Sequence, residues 1–569
     1  MLKSPKILFM NIIIILGILL GSFYLTSIIN SDNNSLTIKE ITISGYNGIL
    51  YKDKTLTSIN KAPGIIVAHG ITNAKETSSN IALELARRGF VTLVLDQLAH
   101  GDSKGSMSER DTKPDMGVKI AIEYLSNLSF VLENQIGLIG HSMGASTIKN
   151  AALFSNSIQS SIFIGGGISG DESPSNSLDN LNSTYPKNLL VIVGQYDVLF
   201  DIDSLKENIL PPIFNTTNRV EENNLYGEYS KGTARMLLIA PTNHLFEPLD
   251  PFTISHSIEW MLNVFETSLS STNLSNKDLI YVFREVSILI SLILFILLIF
   301  PLMEIGYYFL ETYLLKMENE ESKNIWFKNL IIPFSLSGLA GLLLYFPLLA
   351  FGLFVPIPPM LFGSSIAWWF LSIGIFELFI VYFLLKPEII LKKELLYSSL
   401  IIGISIFCIL YLVAIIPEVF FTTNLRIIVP IFSNMEPIIR MLFFLIFLPF
   451  FLIYNIGESS VWFSSNPIFQ KKHQKSDMIV FYFLITILKI FPYLLVISIQ
   501  YSLMAVFGFR LFNDLLGFSI DFFFAIIPLF IISLSINFFE FIRFRRNTVS
   551  IVLNTLIFSW ISAGLFPIA

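Results

Sequence analysis

Cysteine is all but missing from this chain: one residue in 569, Cys408. A single thiol excludes an intramolecular disulfide and any Cys-rich zinc site, and it leaves the compartment to be read from other features. Charge is scarce as well, at 14% of residues where soluble domains carry about 25%. Set beside 53% hydrophobic residues, that deficit excludes a wholly soluble enzyme, and equally a disordered or collagen-like chain. No long basic run occurs and the net charge is −6, which argues against nucleic acid as a partner, because that partner needs a clustered cationic surface. A glycine-rich phosphate loop and a metal-ligand cluster are also lacking, so no cofactor or metal is expected.

What is present is unevenly spread. Of the 53 Phe, 11 precede residue 279 and 42 follow it, so two solvents are written into one chain. Ile7 to Ile29 is a near-continuous apolar stretch behind Lys3 and Lys6. At about 1.5 Å per residue it can cross a hydrocarbon core of roughly 30 Å. It reads as an uncleaved signal anchor, the alternative being a cleaved signal peptide. The expected division is an anchor over 1–29, a folded domain over 30–278 and a polytopic membrane region over 279–569. Eight further spans are expected near 282–303, 331–354, 361–385, 395–416, 441–456, 478–503, 517–540 and 549–567.

Lys and Arg placement gives an expected orientation. With the N-terminus cytoplasmic, the inner segments hold Lys3, Lys6, Lys316, Lys323, Lys328, Lys386, Lys392, Lys393, Lys471, Lys472, Lys475, Arg543, Arg545 and Arg546, while the outer loops hold Arg426, Arg440 and Arg510. The 30–278 domain is then extracytoplasmic. It carries Asn-x-Ser/Thr sites at Asn33, Asn127, Asn182, Asn215 and Asn273, acceptors only in a host that glycosylates.

Within 30–278, short apolar β-branched runs alternate with helical stretches. Strands are expected at Gly64–Ala68, Val91–Leu95, Ile136–Ile139, Ser161–Ile164, Leu189–Val193 and Met236–Ile239, with helices at Glu76–Arg88, stopped by Gly89, and at Met116–Leu128. Thr37–Lys54 reads as a hairpin turning near Asn47-Gly48. Apolar strands separated by helices imply an α/β domain with a mostly parallel sheet covered on both faces, beside an all-α transmembrane bundle.

The sharpest motif is Gly140-His141-Ser142-Met143-Gly144, placed between the strand Ile136–Ile139 and the helical Ala145–Leu153. A tight strand-to-helix turn leaves no room for side chains at the flanking glycines, and it presents the serine hydroxyl at a helix N-terminus. Serine needs a base, and the base an orienting acid. Asp197 follows one strand and His244 another, so Ser142, Asp197 and His244 all fall just past strand C-termini. Asp201 and Asp203 compete for the acid role; His69, His100, His141 and His256 compete with His244.

Over about residues 40 to 267 the chain resembles the α/β-hydrolase superfamily. His69-Gly70 ends a strand as the family's oxyanion motif does, and Asp96 to Ser103 is similar to its D-x-x-G-H-G-x-S turn, with Ala99 in place of a glycine. The resemblance implies Ser142 as nucleophile, His244 as general base and Asp197 as its acid. It places the oxyanion hole at the backbone N–H groups of Met143 and Ile71. Asp96 reads as a structural cap. No large lid is expected, since Ser142 and Asp197 are close in sequence; Phe200–Arg235, centred on Leu210–Phe214, is the candidate cover, or else an ordinary excursion.

In the membrane half, Glu377 and Lys489 lie mid-span at similar depths and are expected to meet, because an unpaired intramembrane charge costs about 3 kcal/mol. Asp521, near a span end, is expected to snorkel. The expected function is a membrane-bound serine hydrolase cleaving carboxylic esters, lipid-like ones included, with membrane lipids as neighbours. The alternatives are a peptidase, amidase or thioesterase of the same mechanism, and a transporter or scaffold with a non-catalytic hydrolase-like domain.

Overall fold

A computed structural model describes residues 4–153, 155–168, 180–269, 274–314, 328–385, 393–426, 429–464, 475–544 and 546–569. Lys3, Lys316, Lys323, Lys386, Lys392, Lys471, Lys472, Arg545 and Asn273 lie outside the described residues.

After helix α1 (Pro5–Asn30) the chain builds one eight-stranded sheet. Its strands are β1 (Leu36–Ile43), β2 (Tyr46–Asp53), β3 (Ala62–Ala68), β4 (Val91–Leu95), β5 (Val131–His141), β6 (Ile158–Ile164), β7 (Leu189–Gly194) and β8 (Arg235–Ala240). The spatial order is β1-β2-β4-β3-β5-β6-β7-β8. β2 runs antiparallel to both β1 and β4, and every pairing from β4 onward across the sheet is parallel. Helices α2 (Lys75–Ala86), α3 (Val118–Ser126), α4 (Met143–Ala152) and α7 (Pro251–Phe265) cover it; the short α5 (Ile202–Ser204) and α6 (Leu210–Phe214) lie between β7 and β8.

Period-two alternation divides the strand side chains between two cores. Ile66 and Ala68 enter the core shared with Leu125 of α3 and Ile148 of α4, while Ile65 and Val67 enter the one shared with Leu85 of α2 and Ile258 of α7. Burial on both faces is why β3 and β4 read as unbroken apolar runs. Gly89 ends the turn after α2 at φ 93, a left-handed conformation suited to glycine.

The hairpin turns elsewhere than expected. The connection is Ser44-Gly45, with φ of 51 and 89, the signs of a type I′ turn. Asn47 and Gly48 sit inside β2 for other reasons: the Asn47 amide donates to the Asp102 carbonyl at 2.6 Å, and a Cβ on Gly48 would collide with the Val94 carbonyl of β4.

The remaining helices are α8 (Tyr281–Leu314), α9 (Lys328–Phe354), α10 (Gly363–Ile380), α11 (Lys393–Phe421), α12 (Ile439–Ser464), α13 (Lys475–Phe507), α14 (Asp514–Asp521), α15 (Phe523–Phe544) and α16 (Thr548–Leu565), with a small ribbon of β9 (Leu425–Arg426) and β10 (Pro430–Phe432). Among the described residues, nine stretches are long and apolar enough to cross a membrane, the α1 stretch included, and the protein is a multi-pass membrane protein. Span ends shift by a few residues from expectation, and two departures bear on the interior. The fifth of the eight later spans runs to Trp462, because its polar Glu458 and Ser459 turn inward and find partners. The seventh is interrupted at Phe522, between α14 and α15.

Several polar groups inside the bundle are paired across helices. Lys489 Nζ lies 2.5 Å from Glu377 Oε1 and 2.6 Å from Ser337 Oγ, with Glu458 Oε1 at 3.6 Å, so the expected Glu377–Lys489 contact is present. α1 belongs to the same packing: Thr26 and Ser22 exchange hydrogen bonds with Ser287 and Ser291 of α8. Two arginines of the helical half reach the sheet domain, and a third pairs within the bundle. Arg440 donates to the Gly101 carbonyl, Arg510 pairs with Asp201, and Arg426 pairs with Glu285 at the start of α8. The sheet domain therefore docks on one end of the bundle.

Candidate active site

β5 feeds α4 through Ser142, which is held at φ 53 and ψ −119. Such a conformation costs on the order of 1–3 kcal/mol in a non-glycine residue and persists only where the surroundings enforce it. They do so by close approach. A Cβ on Gly140 would collide with the Gly144 backbone, and one on Gly144 with the carbonyls of Ala68 and His69. The Ser142 N–H donates to the Ile164 carbonyl of β6 at 2.8 Å.

The loops after β7 and β8 bring two further groups to this turn. His244 Nε2 lies 2.9 Å from Ser142 Oγ, and His244 Nδ1 lies 2.8 Å from Asp197 Oδ2. Asp197 Oδ1 accepts from the Leu199 N–H at 2.8 Å, so both carboxylate oxygens are occupied. His244 and Asp197 are buried, whereas Ser142 remains partly accessible. Burial works against charging His244, but the Asp197 carboxylate and its hydrogen bond outweigh it, and the imidazole pKa is raised.

The order and sense of the strands, the strained serine between β5 and α4, and the Ser, Asp, His sequence order now stand together. The sheet domain is an α/β-hydrolase fold. No family model matches the chain. A curated relative, the uncharacterized protein YcjY of Escherichia coli strain K12, is 27% identical over 130 residues, which are 22% of this chain and 40% of that protein's length. Among solved structures, the Pyrococcus furiosus esterase Pf2001 is 17% identical with a TM-score of 0.32, covering 42% of this chain and 96% of that one. Est1E from Butyrivibrio proteoclasticus, solved with ferulic acid, is 16% identical with a TM-score of 0.29, covering 40% of this chain and 98% of its own.

In the hydrolase fold the end of β3 supplies the other wall. His69 Nε2 accepts from the Gln97 N–H at 3.1 Å, which leaves Nδ1–H to donate to the Gly70 carbonyl at 2.7 Å. Burial holds the His69 pKa down at about 4, so the ring is neutral and its tautomer is fixed. In a trans peptide the C=O and N–H point in opposite directions. With the Gly70 carbonyl turned to His69, the Ile71 N–H points away from it, and Ile71 lines the same pocket as Ser142. Met143 is the first residue of α4, where N–H groups have no helical partner and the helix dipole is positive.

The competing residues are engaged elsewhere. Asp201 accepts from the Ser204 N–H and pairs with Arg510; Asp203 pairs with Arg219 on the surface. His100 donates to the Leu98 carbonyl, and His256 to that of Phe252. Asp96 caps α2, accepting from the Lys75 N–H at 2.6 Å. Ala99 takes φ 66, the left-handed conformation its turn imposes and glycine would adopt freely.

Two features were not anticipated. Glu247, three residues after His244, is buried, accepts from the Gly194 N–H at 2.6 Å and lies 3.2 Å from His141 Nε2. Burial, then the Asp197 charge, pushes its carboxyl well above the usual range. Its spacing from His244 is the only sequence signal. His141, His244 and Glu247 also lie close enough to share a cation, but both ring nitrogens of His244 are committed to Ser142 and Asp197.

The second feature is the cover. Leu210, Ile213 and Phe214 sink into the domain core and do not roof the site. The roof comes from the bundle: Val429, Phe518, Asp521, Phe522, Ala525 and Leu565 close the pocket over Ser142 and His244. The Phe518 ring meets His244 edge-on at 5.6 Å. Asp521 does not snorkel. It is 1% exposed, and its Oδ1 accepts from Tyr501, whose hydroxyl also accepts from Asn243 beside His244.

Proposed function

We propose that the protein is a membrane-bound serine hydrolase that cleaves carboxylic esters through an acyl-enzyme on Ser142. The observation carrying this reading is the hydrogen-bonded chain Ser142–His244–Asp197 on a strained strand-to-helix turn. His244 takes the Ser142 proton as the hydroxyl attacks the ester carbonyl and returns it to the leaving alcohol; water then repeats the sequence on the acyl-enzyme. Asp197 holds the imidazole tautomer and offsets the charge it gains. The N–H groups of Ile71 and Met143 receive the developing oxyanion, where one such donor is worth about 3 kcal/mol of barrier.

Lipid-like esters are the favoured substrates, because the lining that the membrane half contributes to the pocket is apolar apart from Asp521. The excess of Lys and Arg in alternate loops supports a hydrolase domain outside the cytoplasm. Labelling of the full-length protein by a fluorophosphonate probe tests the reading. Wild type is expected to label and Ser142→Ala not to; equal labelling of both would overturn it.

A further inference from the structure

Asp521 is an odd residue to find in an apolar roof. It is fully buried, its Oδ1 is taken by Tyr501 at 2.5 Å, and its Oδ2, also buried, has no hydrogen-bond partner among the described residues. A buried carboxylate oxygen without a donor is costly, so a site that keeps one is commonly completed by something else. Three observations say where that something would sit. Asp521 lines the pocket that holds Ser142 and His244. Its side chain is fixed from the hydrolase side: Asn243 Nδ2 donates to the Tyr501 hydroxyl at 3.0 Å, and that hydroxyl donates onward to Asp521. The lining around it is apolar, with Phe518, Phe522, Ala525 and Leu565 from the bundle and Leu245 from the loop of His244.

Resting on the hydrolase reading, we infer that Asp521 is a specificity-determining residue contributed by the membrane half, whose free Oδ2 accepts a hydrogen bond from a hydroxyl or ammonium group that the substrate carries near its scissile ester. The substrate class is then an amphiphile: an apolar chain against Phe518 and Phe522, and a donor-bearing head beside Ser142. A simple alkyl ester would leave Oδ2 bare and bind less well, because a site built to meet a donor rejects the analogue lacking it.

The inference is tested by protection of Ser142 from a fluorophosphonate probe in the full-length protein in detergent. Three single-chain ligands of equal chain length are compared: 1-O-dodecylglycerol, dodecylamine and dodecyl methyl ether. Wild type should be protected at least tenfold more effectively by the glycerol ether, by the amine or by both than by the methyl ether, and whichever protects names the donor. In Asp521→Asn the amide NH2 replaces the free acceptor, and the preference for donor-bearing ligands should vanish. Equal protection by all three in wild type overturns the inference without any variant, and so does a preference that survives in Asp521→Asn. Failure of wild type to label at Ser142 is a different result: it removes the hydrolase reading, and the inference with it.

Discussion

The two halves of this protein solve the same problem against different solvents. Among the described residues of the sheet domain, Ile59, Leu153 and Leu225 are the only large apolar side chains counted as exposed, whereas the helical half exposes a belt of them, from Val282 to Ile531. Buried polarity is distributed just as differently. In the helical half it is spent on joining helices, as where Lys489 meets Glu377 and Ser337 or Glu458 meets Ser533. In the sheet domain part of it gathers at strand ends, where Asp197 and Glu247 flank His244, while Glu84 with Arg88 and Lys75 with Asp96 pair elsewhere. The contrast teaches that buried charge in the helical half chiefly joins helices, whereas the sheet domain also arranges some of it around a hydroxyl.

Removing the hydroxyl should break that contrast most sharply. Ser142→Ala is expected to lower ester hydrolysis by about 10^4-fold or more, the scale seen when a serine nucleophile is deleted, while thermal stability in detergent stays within about 1 kcal/mol of wild type. A variant that melts early would place Ser142 in the structural class instead.

Lys489→Met is the reciprocal case. It leaves Glu377 buried beside an apolar side chain and should destabilise the bundle by about 3–5 kcal/mol, the cost of stripping one partner from a buried pair. Glu377→Gln combined with Lys489→Met should recover much of that loss. Differential scanning fluorimetry of the single and double variants measures both. A single variant with unchanged stability would mean that the pair is not structural.

How far these roles were legible in sequence depended on whether the partner was local. β4 was readable to the residue, because Val91–Leu95 is apolar on both faces and bounded by polar turns. β5 begins five residues before the expected Ile136, since Glu133, Asn134 and Gln135 sit at the sheet margin, where alternation gives no signal. The turn at Ser142 was legible because the glycines that allow it, Gly140 and Gly144, lie two residues away on either side. The hairpin misled because Asn47-Gly48, a turn dipeptide by composition, serves a tertiary contact with Asp102 and Val94. Asp521 was unreadable: a carboxylate at a span end snorkels by default, and only the docked domain makes that end an interior.

Phe518 probes the boundary between the two halves. Its ring meets His244 edge-on across the interface, an arrangement worth about 0.5–1.5 kcal/mol beyond simple burial. Phe518→Ala should therefore slow labelling of Ser142 by roughly fivefold, with little effect on melting, since 1.4 kcal/mol is a factor of ten. No change in labelling rate would show that the roof covers the site without shaping it.

The smallest effect is the one with an informative sign. His244 must be neutral to accept the Ser142 proton, and Asp197 raises its pKa against the opposing effect of burial. The pH profile of kcat/KM should accordingly climb tenfold per unit on its acid limb and reach half-maximum above 6.5, the ordinary value for imidazole. Stability runs the other way: a histidine with a raised folded pKa contributes stabilisation that is complete below about 6.5 and disappears as pH rises through the folded value. The active form is thus the one that has given up this contribution. His69 has the opposite sign, because burial depresses it to about 4; its contribution is present above about 6.5 and is lost as pH falls toward 4. Two imidazoles of the sheet domain are therefore shifted in opposite directions, His244 upward by Asp197 and His69 downward by burial. A kcat/KM midpoint below 6.5 would mean that burial outweighs Asp197 at His244, and the distinction between the two histidines would collapse.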